Sequence, residues 1–267
     1  MHRCERQSRP KWSGTNGNGA LSEHPERRGS VTATMSRPSV DVTPLSGSSM
    51  SGSPTAVALF CHGGTSDSTA PPSDGALSLI RMRAVQHAVR DSLEDHGIEP
   101  WLLRYRFAGW NGARADAAHD ARWALDEVSR RYGDLPVVLV GHSMGGRAAI
   151  RVAGHRSVRA VCALAPWVPP SDPVAHLRGK TLVIAHGRAD RWVPARGSLE
   201  FALRAKRVTP TTARFTMPGG HGMLRRASAW HDLVREVVLA GLGVEPFGPA
   251  LTNAFQQEPP AGLTAPY

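Results

Sequence analysis

Lysine is scarce in this sequence, and its scarcity changes the meaning of a strongly basic charge. Only three of the 32 basic residues are lysines, so the net charge of +10 comes almost entirely from arginines. These arginines are scattered along the chain, and they form no basic stripe. Because nucleic-acid binding usually combines such a stripe with a recognisable module, and no module is present, we predict no nucleic-acid partner.

Cysteines and long apolar runs are also scarce. Cys4, Cys61 and Cys162 are too few for a disulfide framework, and the last two lie in apolar runs, where cysteine commonly acts as a small hydrophobic residue. No stretch approaches the roughly 18 consecutive apolar residues of a membrane-spanning helix. The N-terminus lacks the apolar segment of a secretory signal. We therefore expect a cytoplasmic protein with no membrane partner.

Metal and nucleotide motifs are missing as well. No spacing of His, Cys and Asp matches a zinc site. No phosphate loop or dinucleotide glycine pattern opens a helix after a strand. We therefore predict neither a bound metal nor a cofactor. The sequence does not indicate the oligomeric state.

The composition divides the chain into three parts. Residues 1–53 are rich in Ser, Gly, Thr, Pro and Arg and have no apolar periodicity, so we predict that they are disordered. Met35 and Met50 lie within this part, which leaves Met1, Met35 or Met50 as the true start of the chain. Residues 54–243 carry the folded domain. Residues 244–267 contain five prolines, among them Pro246, Pro249, Pro259 and Pro260, and we predict a disordered tail.

Strand and helix patterns alternate within residues 54–243. Apolar runs of strand length lie at residues 56–61, 101–107, 137–140, 158–165, 181–185 and 213–217. Helical periodicity lies between them at residues 79–93, 118–132, 144–153, 198–207 and 223–239. This alternation predicts an α/β fold with a mainly parallel central sheet and helices on both faces. Sites in such sheets form at the carboxyl ends of the strands.

A Gly-x-Ser-x-Gly motif follows the third of these strands, with Ser143 at its centre and Gly141 and Gly145 on either side. This pattern is typical of a nucleophile elbow, a sharp turn from a strand to a helix that exposes the serine. The flanking residues must be small, because strand and helix approach closely at such a turn. The helix N-terminus also supplies N–H groups and a positive dipole near the reacting oxygen.

The turn after the first predicted strand reads His62-Gly-Gly-Thr. A turn of this kind can supply a backbone N–H to an oxyanion hole, and Gly64 and Thr65 are both candidates. The second donor would be the N–H of Met144, the residue after the serine.

Two further strand ends carry an acid and a histidine. Asp190 lies on the loop after the fifth predicted strand, where its carboxylate can accept a hydrogen bond from a histidine. His221 follows the sixth strand and has glycines on both sides, as suits an accessible proton carrier. The order Ser143, Asp190, His221 is the chain order of the α/β-hydrolases.

The core at about residues 55–240 resembles a small α/β-hydrolase. It is also similar to short bacterial α/β-fold hydrolases with a Leu-Arg-Tyr-Arg…Gly-Trp-Asn-Gly stretch, here at residues 103–112, then Gly-His-Ser-Met-Gly and Ala-Leu-Ala-Pro-Trp. The chain departs from larger members in two respects. The two strands that normally precede the His-Gly-Gly strand are not evident, and residues 168–179 are too few for a cap domain.

The resemblance implies a serine hydrolase that cleaves a small-molecule carboxylic ester or thioester. Ser143 would attack the carbonyl, His221 would carry the proton, and Asp190 would orient His221. An acyltransferase with the same triad and a non-catalytic ligand-binding protein on the same fold remain alternatives. An intact set of three residues weighs against the second of these.

Several side chains near the strand ends are candidates for substrate binding: His62, Trp110, Trp167 and Trp192. The tryptophans can line an acyl or aromatic cleft, or they can simply pack beneath a loop. Three arginines near the same rim can bind an acidic substrate or face solvent: Arg106, Arg188 and Arg191.

Overall fold

The structure, a computed structural model, describes residues 37–42 and 53–267. The strands in these residues form one seven-stranded sheet. The strands are β1 (Ser39–Val42), β2 (Ala56–Cys61), β3 (Ile98–Arg104), β4 (Val137–His142), β5 (Val158–Leu164), β6 (Thr181–Gly187) and β7 (Thr212–Met217). Their order across the sheet is β1-β3-β2-β4-β5-β6-β7. Only the edge strand β1 is antiparallel to its neighbour, so the predicted, mainly parallel sheet is confirmed.

Helices connect the strands and cover the sheet. They are α1 (Leu77–Glu94), α2 (Asp116–Tyr132), α3 (Met144–Val152), α4 (Ala195–Lys206), α5 (Ala227–Gly241), α6 (Pro249–Gln256) and α7 (Ala261–Thr264). The strand predicted at residues 101–107 in fact begins at Ile98 and ends at Arg104.

The two faces of the sheet have separate cores, which is why the central strands are apolar on both sides. On one face, the buried side chains of α2, α3 and α4 pack against alternate residues of the strands. On the other face, α1 and α5 pack against the remaining residues, with Trp230 fully buried. Every residue of β4 is buried, so the strand that leads to the Gly-x-Ser-x-Gly motif is held rigidly from both faces.

The C-terminal segment is ordered, which makes the prediction of a disordered tail at 244–267 wrong. Leu251 and Leu263 are fully buried, and the Arg214 guanidinium donates a hydrogen bond to the Leu263 carbonyl at 3.0 Å. Two of the prolines that suggested disorder instead lie at helix starts, since Pro249 is the first residue of α6 and Pro260 precedes α7. Proline is well suited to the first helical position, where its missing N–H has no helical partner.

The N-terminal prediction is wrong in one short stretch. Within residues 1–53, the structure describes β1, which pairs antiparallel with Trp101–Arg104 of β3. One strand therefore does precede the His-Gly-Gly strand, and a chain that began at Met50 would lack it. The rest of the disorder prediction, at 1–36 and 43–52, lies outside the described residues.

The connection from β5 to β6 contains one short 3-10 turn, Ala175–Leu177, and no cap domain. The carboxyl ends of the strands are therefore not covered by an inserted domain from this connection. Within residues 37–42 and 53–267, no helix is long and apolar enough to cross a membrane.

Candidate active site

Ser143 lies at the turn between β4 and α3, in a backbone conformation that non-glycine residues rarely adopt. Its φ is 55° and its ψ is −119°. Backbone hydrogen bonds hold it there, since its N–H donates to the Leu164 carbonyl at 2.9 Å and its carbonyl accepts from the Trp167 N–H at 3.2 Å. Strained conformations of this kind persist only where the surroundings enforce them, and they concentrate at functional sites.

The two glycines of the motif allow the strand and helix to come close enough for this turn. A Cβ added at Gly141 would overlap the backbone of Gly145 and Gly146, and one at Gly145 would overlap the carbonyl oxygens of Cys61 and His62. The motif therefore has glycine at these positions for a steric reason. The elbow is packed directly against the end of β2.

His221 and Asp190 form a short hydrogen bond. His221 Nδ1 donates to Asp190 Oδ2 at 2.7 Å, and Asp190 Oδ1 accepts from the N–H groups of Trp192 and Val193 at 2.9 Å each. The carboxylate side chain is fully buried. Burial alone would raise the pKa of Asp190, but these hydrogen bonds outweigh it and hold the pKa below its ordinary value. Asp190 is therefore an ionised acceptor that fixes the orientation and tautomer of His221.

The loops that carry Asp190 and His221 are joined by their backbones. The Ala189 N–H donates to the Gly219 carbonyl at 2.9 Å. Gly187 has no room for a side chain, because an added Cβ would lie 2.6 Å from the Gly219 oxygen. These contacts set the two loops side by side. Ser143 and His221 line the same cavity, which has a volume of about 580 Å³.

Two buried histidines that the sequence analysis did not single out surround this pair. His142 Nε2 donates to the backbone carbonyl of His221 at 2.9 Å, and the two imidazole rings lie 4.7 Å apart. His186 Nε2 lies 3.0 Å from the Val193 carbonyl and 3.2 Å from Asp190 Oδ2. Burial lowers the pKa of both, that of His142 to about 3, so both rings are neutral. The sequence feature that could have identified His142 and His186 is their position at the carboxyl ends of β4 and β6.

The structure narrows the candidates for the oxyanion hole. The Thr65 N–H donates to the Ala108 carbonyl at 2.8 Å, so it is already engaged and Thr65 is the wrong candidate. Gly64 lines the cavity, and a Cβ there would overlap the Met144 side chain as well as the Ala108 oxygen. Met144 is the first residue of α3, where a backbone N–H has no partner within the helix. Gly64 and Met144 therefore remain as the candidate donors.

Of the substrate-binding candidates, only Trp192 lines the cavity. Its ring lies 5.7 Å from that of His221. Trp110 and Trp167 instead enclose the Arg147 guanidinium, which lies 3.9 Å and 4.6 Å from their ring centroids. Those two predictions are wrong, because the rings serve a buried cation–π cluster.

His62 is also a wrong candidate, since it is buried away from the cavity. It donates from Nδ1 to the Gly63 carbonyl at 2.7 Å and packs edge-on against Tyr105.

The three arginines predicted near the rim of the site have different surroundings. Arg106 donates to Asp120 at 2.6 Å, Arg188 is exposed outside the cavity lining, and Arg191 lines the cavity.

Comparisons with known proteins agree with this architecture. No curated protein sequence matches the chain. Among solved structures, it is similar to an alpha-beta serine hydrolase homologue from Coxiella burnetii, with 18% identity, coverage of 74% of this chain and 90% of that one, and a TM-score of 0.55. An esterase from Pyrococcus furiosus gives 17% identity, 71% and 83% coverage and a TM-score of 0.55.

A serine hydrolase without a lid from Xanthomonas campestris gives 19% identity, 77% and 87% coverage and a TM-score of 0.50. At such identities the likeness concerns the fold alone. The model of the Alpha/beta hydrolase family matches residues 58–264, which is most of the sequence. The chain belongs to the Alpha/beta hydrolase family.

Proposed function

We propose that this protein is a serine hydrolase that cleaves a carboxylic ester or thioester of a small molecule through an acyl-enzyme. The observation that carries the proposal is the 2.7 Å pair of His221 and Asp190 in the cavity that Ser143 also lines. A strained serine, a histidine and a buried carboxylate that accepts from that histidine are the three parts of a nucleophilic triad.

In the first half of the reaction, Ser143 Oγ attacks the substrate carbonyl carbon as its proton passes to His221 Nε2. The carbonyl oxygen becomes an oxyanion, and the N–H groups of Gly64 and Met144 donate to it. The imidazolium of His221 is stabilised by Asp190. The bond from carbon to the alcohol oxygen or thiol sulfur then breaks, and the leaving group takes the proton from His221.

In the second half, water attacks the acyl carbon of the Ser143 ester and gives a proton to His221. The second tetrahedral intermediate breaks down when Ser143 Oγ leaves and takes that proton back. The products are a carboxylic acid and an alcohol or thiol, and the enzyme returns to its starting state. No cofactor takes part in this scheme.

Two other functions share parts of this geometry. An acyltransferase would use the same acyl-enzyme but pass the acyl group to an alcohol or amine in place of water. A non-catalytic ligand-binding protein would keep the cavity alone. The fully buried Asp190 carboxylate, with three hydrogen-bond donors, favours catalysis over simple binding, because a binding cavity does not need an ionised acceptor behind the histidine.

The test is hydrolysis of an activated ester, para-nitrophenyl hexanoate, by the wild type and by Ser143→Ala. A hydrolase releases product in a burst and continues to turn over, and the Ser143→Ala variant does neither. Diversion of the acyl group to added alcohol or amine would favour the acyltransferase. Absence of both burst and turnover in the wild type would favour the ligand-binding protein.

A further inference from the structure

The mouth of the candidate active site is unusually apolar. Among the described residues, five large hydrophobic side chains are exposed, and four of them line this one cavity: Leu77, Ile80, Trp192 and Leu224. Trp192 is 80% exposed and Leu77 is 79% exposed. Exposed apolar side chains that cluster at one place mark a surface that binds an apolar group.

These four side chains come from three separate parts of the chain. Leu77 and Ile80 lie in the first turn of α1, Trp192 on the loop after β6, and Leu224 on the loop after β7. The loops after β6 and β7 also carry Asp190 and His221. The apolar surface therefore surrounds the reacting groups and lies within reach of a substrate held against Ser143.

The charge of the cavity wall has one sign. Arg81 of α1 and Arg191 of the loop after β6 both line the cavity, and no Asp or Glu does so among the described residues. Within the residues that the structure describes, neither Arg81 nor Arg191 forms an ion pair. The nearby carboxylate of Asp190 is fully buried and already satisfied by its donors.

The charge of Arg81 reaches into the site itself. Burial is the main cause of the lowered pKa of His142, and electrostatic interactions with His221 and Arg81 lower it further. Arg81 is half-buried and lines the cavity together with Ser78 and His142, and its charge also acts on His231 of α5. A cavity with low-dielectric walls and charge of one sign attracts ligands of the opposite sign.

We infer that the preferred substrate is an amphiphilic ester or thioester with an apolar chain and a second, anionic group. The apolar chain packs against the four exposed side chains, and the anionic group lies between Arg81 and Arg191. This inference rests on the proposed hydrolase function and names its substrate class. The anion can belong to the acyl part or to the leaving group, and the substrates below distinguish the two.

The test compares pairs of esters in which one member carries a carboxylate and the other does not. For the acyl part, the pair is the para-nitrophenyl monoester of glutarate and para-nitrophenyl hexanoate. For the leaving group, the pair is para-carboxyphenyl hexanoate and phenyl hexanoate. We expect kcat/KM to favour the anionic member of at least one pair, and we expect salt to weaken this preference, because screening reduces the attraction of exposed charges.

The variants are Arg81→Gln and Arg191→Gln, with Arg188→Gln as the matched control from the same loop as Arg191. We expect each of the first two to lower about threefold the ratio of kcat/KM for the preferred anionic ester to kcat/KM for its neutral partner. Arg191→Glu should lower kcat/KM for the anionic ester further. Arg188→Gln should resemble the wild type for both. Unfolding midpoints verify that each variant is folded.

The outcomes separate this inference from the proposed function. Hydrolysis of neutral esters without any preference for anionic ones, or a preference that both Arg→Gln variants retain, would overturn the inference and leave the hydrolase intact. Hydrolysis of no ester would overturn both. Cosedimentation of the protein with phosphatidylglycerol vesicles, together with equal rates on the soluble pairs, would identify the apolar mouth as a membrane-contact surface and would also overturn the inference.

Discussion

His142 and His221 are joined by a hydrogen bond from the Nε2–H of the first to the backbone carbonyl of the second, at 2.9 Å. A carbonyl oxygen only accepts, so the proton of the neutral His142 ring lies on Nε2. The residue before the proposed nucleophile thus holds the loop of the proposed base, although 79 positions separate the two in the sequence. We therefore assign His142 the role of a positioning residue.

Replacement of His142 tests that role. We expect His142→Leu, which has no donor, to lower kcat for para-nitrophenyl hexanoate about tenfold with little change in KM, since a misplaced base affects the chemical step. His142→Gln presents an amide N–H at a similar distance and should recover most of the loss. Equal losses in both variants would show that the hydrogen bond to the His221 carbonyl is not the cause.

Asp190→Asn should retain the fold and lose most of the catalytic activity. An asparagine Oδ1 can still accept from the Trp192 and Val193 N–H groups, but its amide faces His221 with a donor and favours the wrong imidazole tautomer. We expect kcat to fall by about 10⁴. Asp134→Asn, in the loop before β4 and so at the other end of that strand from Ser143, is the matched control. A nearly silent Asp190→Asn would mean that another acid serves His221.

Gly64→Ala should impair catalysis because no methyl group fits there. The added Cβ would overlap the Ala108 oxygen and the Met144 side chain, and it would displace the backbone that carries a proposed oxyanion donor. Loss of one such donor typically lowers kcat by about 10²–10³. Gly75→Ala, where an added Cβ meets nothing within 4 Å, should be close to wild type. Unchanged kcat in Gly64→Ala would remove Gly64 from the oxyanion hole.

The buried histidines make stability depend on pH in a defined direction. Burial lowers the pKa of His62 from 6.5 to about 4 and that of His142 from 6.5 to about 3. Below pH 6.5 the unfolded chain therefore binds protons that the folded chain excludes. The free energy of unfolding therefore has its full value above pH 6.5. It decreases toward pH 4 by roughly 1.4 kcal/mol per pH unit for each such histidine.

Urea unfolding between about pH 7.5 and pH 4.5 measures this slope. We expect His142→Gln to have a shallower slope than the wild type, because one buried histidine is gone. His87→Gln, with an exposed side chain, controls for the loss of a histidine as such. Identical slopes for His142→Gln and the wild type would show that His142 is protonated equally in both states.

The sequence predicted the parts of the site that depend on local pattern. Ser143, Asp190 and His221 follow the ends of β4, β6 and β7, and parallel strands bring those ends to one edge of the sheet. The alternation of apolar runs likewise predicted the sheet, since central parallel strands are buried on both faces. The catalytic roles of these residues remain a proposal.

The direction of a side chain was not predictable in this way. Trp110, Trp167 and Trp192 all follow strand ends, yet only Trp192 faces the cavity. The other two turn toward Arg147, which is fixed in place by a bidentate ion pair with Asp172 at 2.7 and 2.8 Å. Such a cluster depends on contacts between distant parts of the chain, which periodicity does not reveal.

The C-terminal helices were missed for a different reason. Prolines interrupt helical and strand patterns, so a proline-rich segment resembles a disordered one. In this chain Pro249 begins α6, and the buried side chains of Leu251 and Leu263 are too few and too widely spaced to form a periodic signal. Their burial depends on the core that they cover.

The most direct test of the central claim is fluorophosphonate labelling of the purified protein, with the modified residue located by mass spectrometry. We expect one adduct, on Ser143, that is lost in His221→Ala and strongly reduced in Asp190→Asn. Such a result requires an assembled and activated nucleophile. Absence of an adduct from the folded wild type, or labelling of Ser143 that persists in His221→Ala, would contradict the proposed triad.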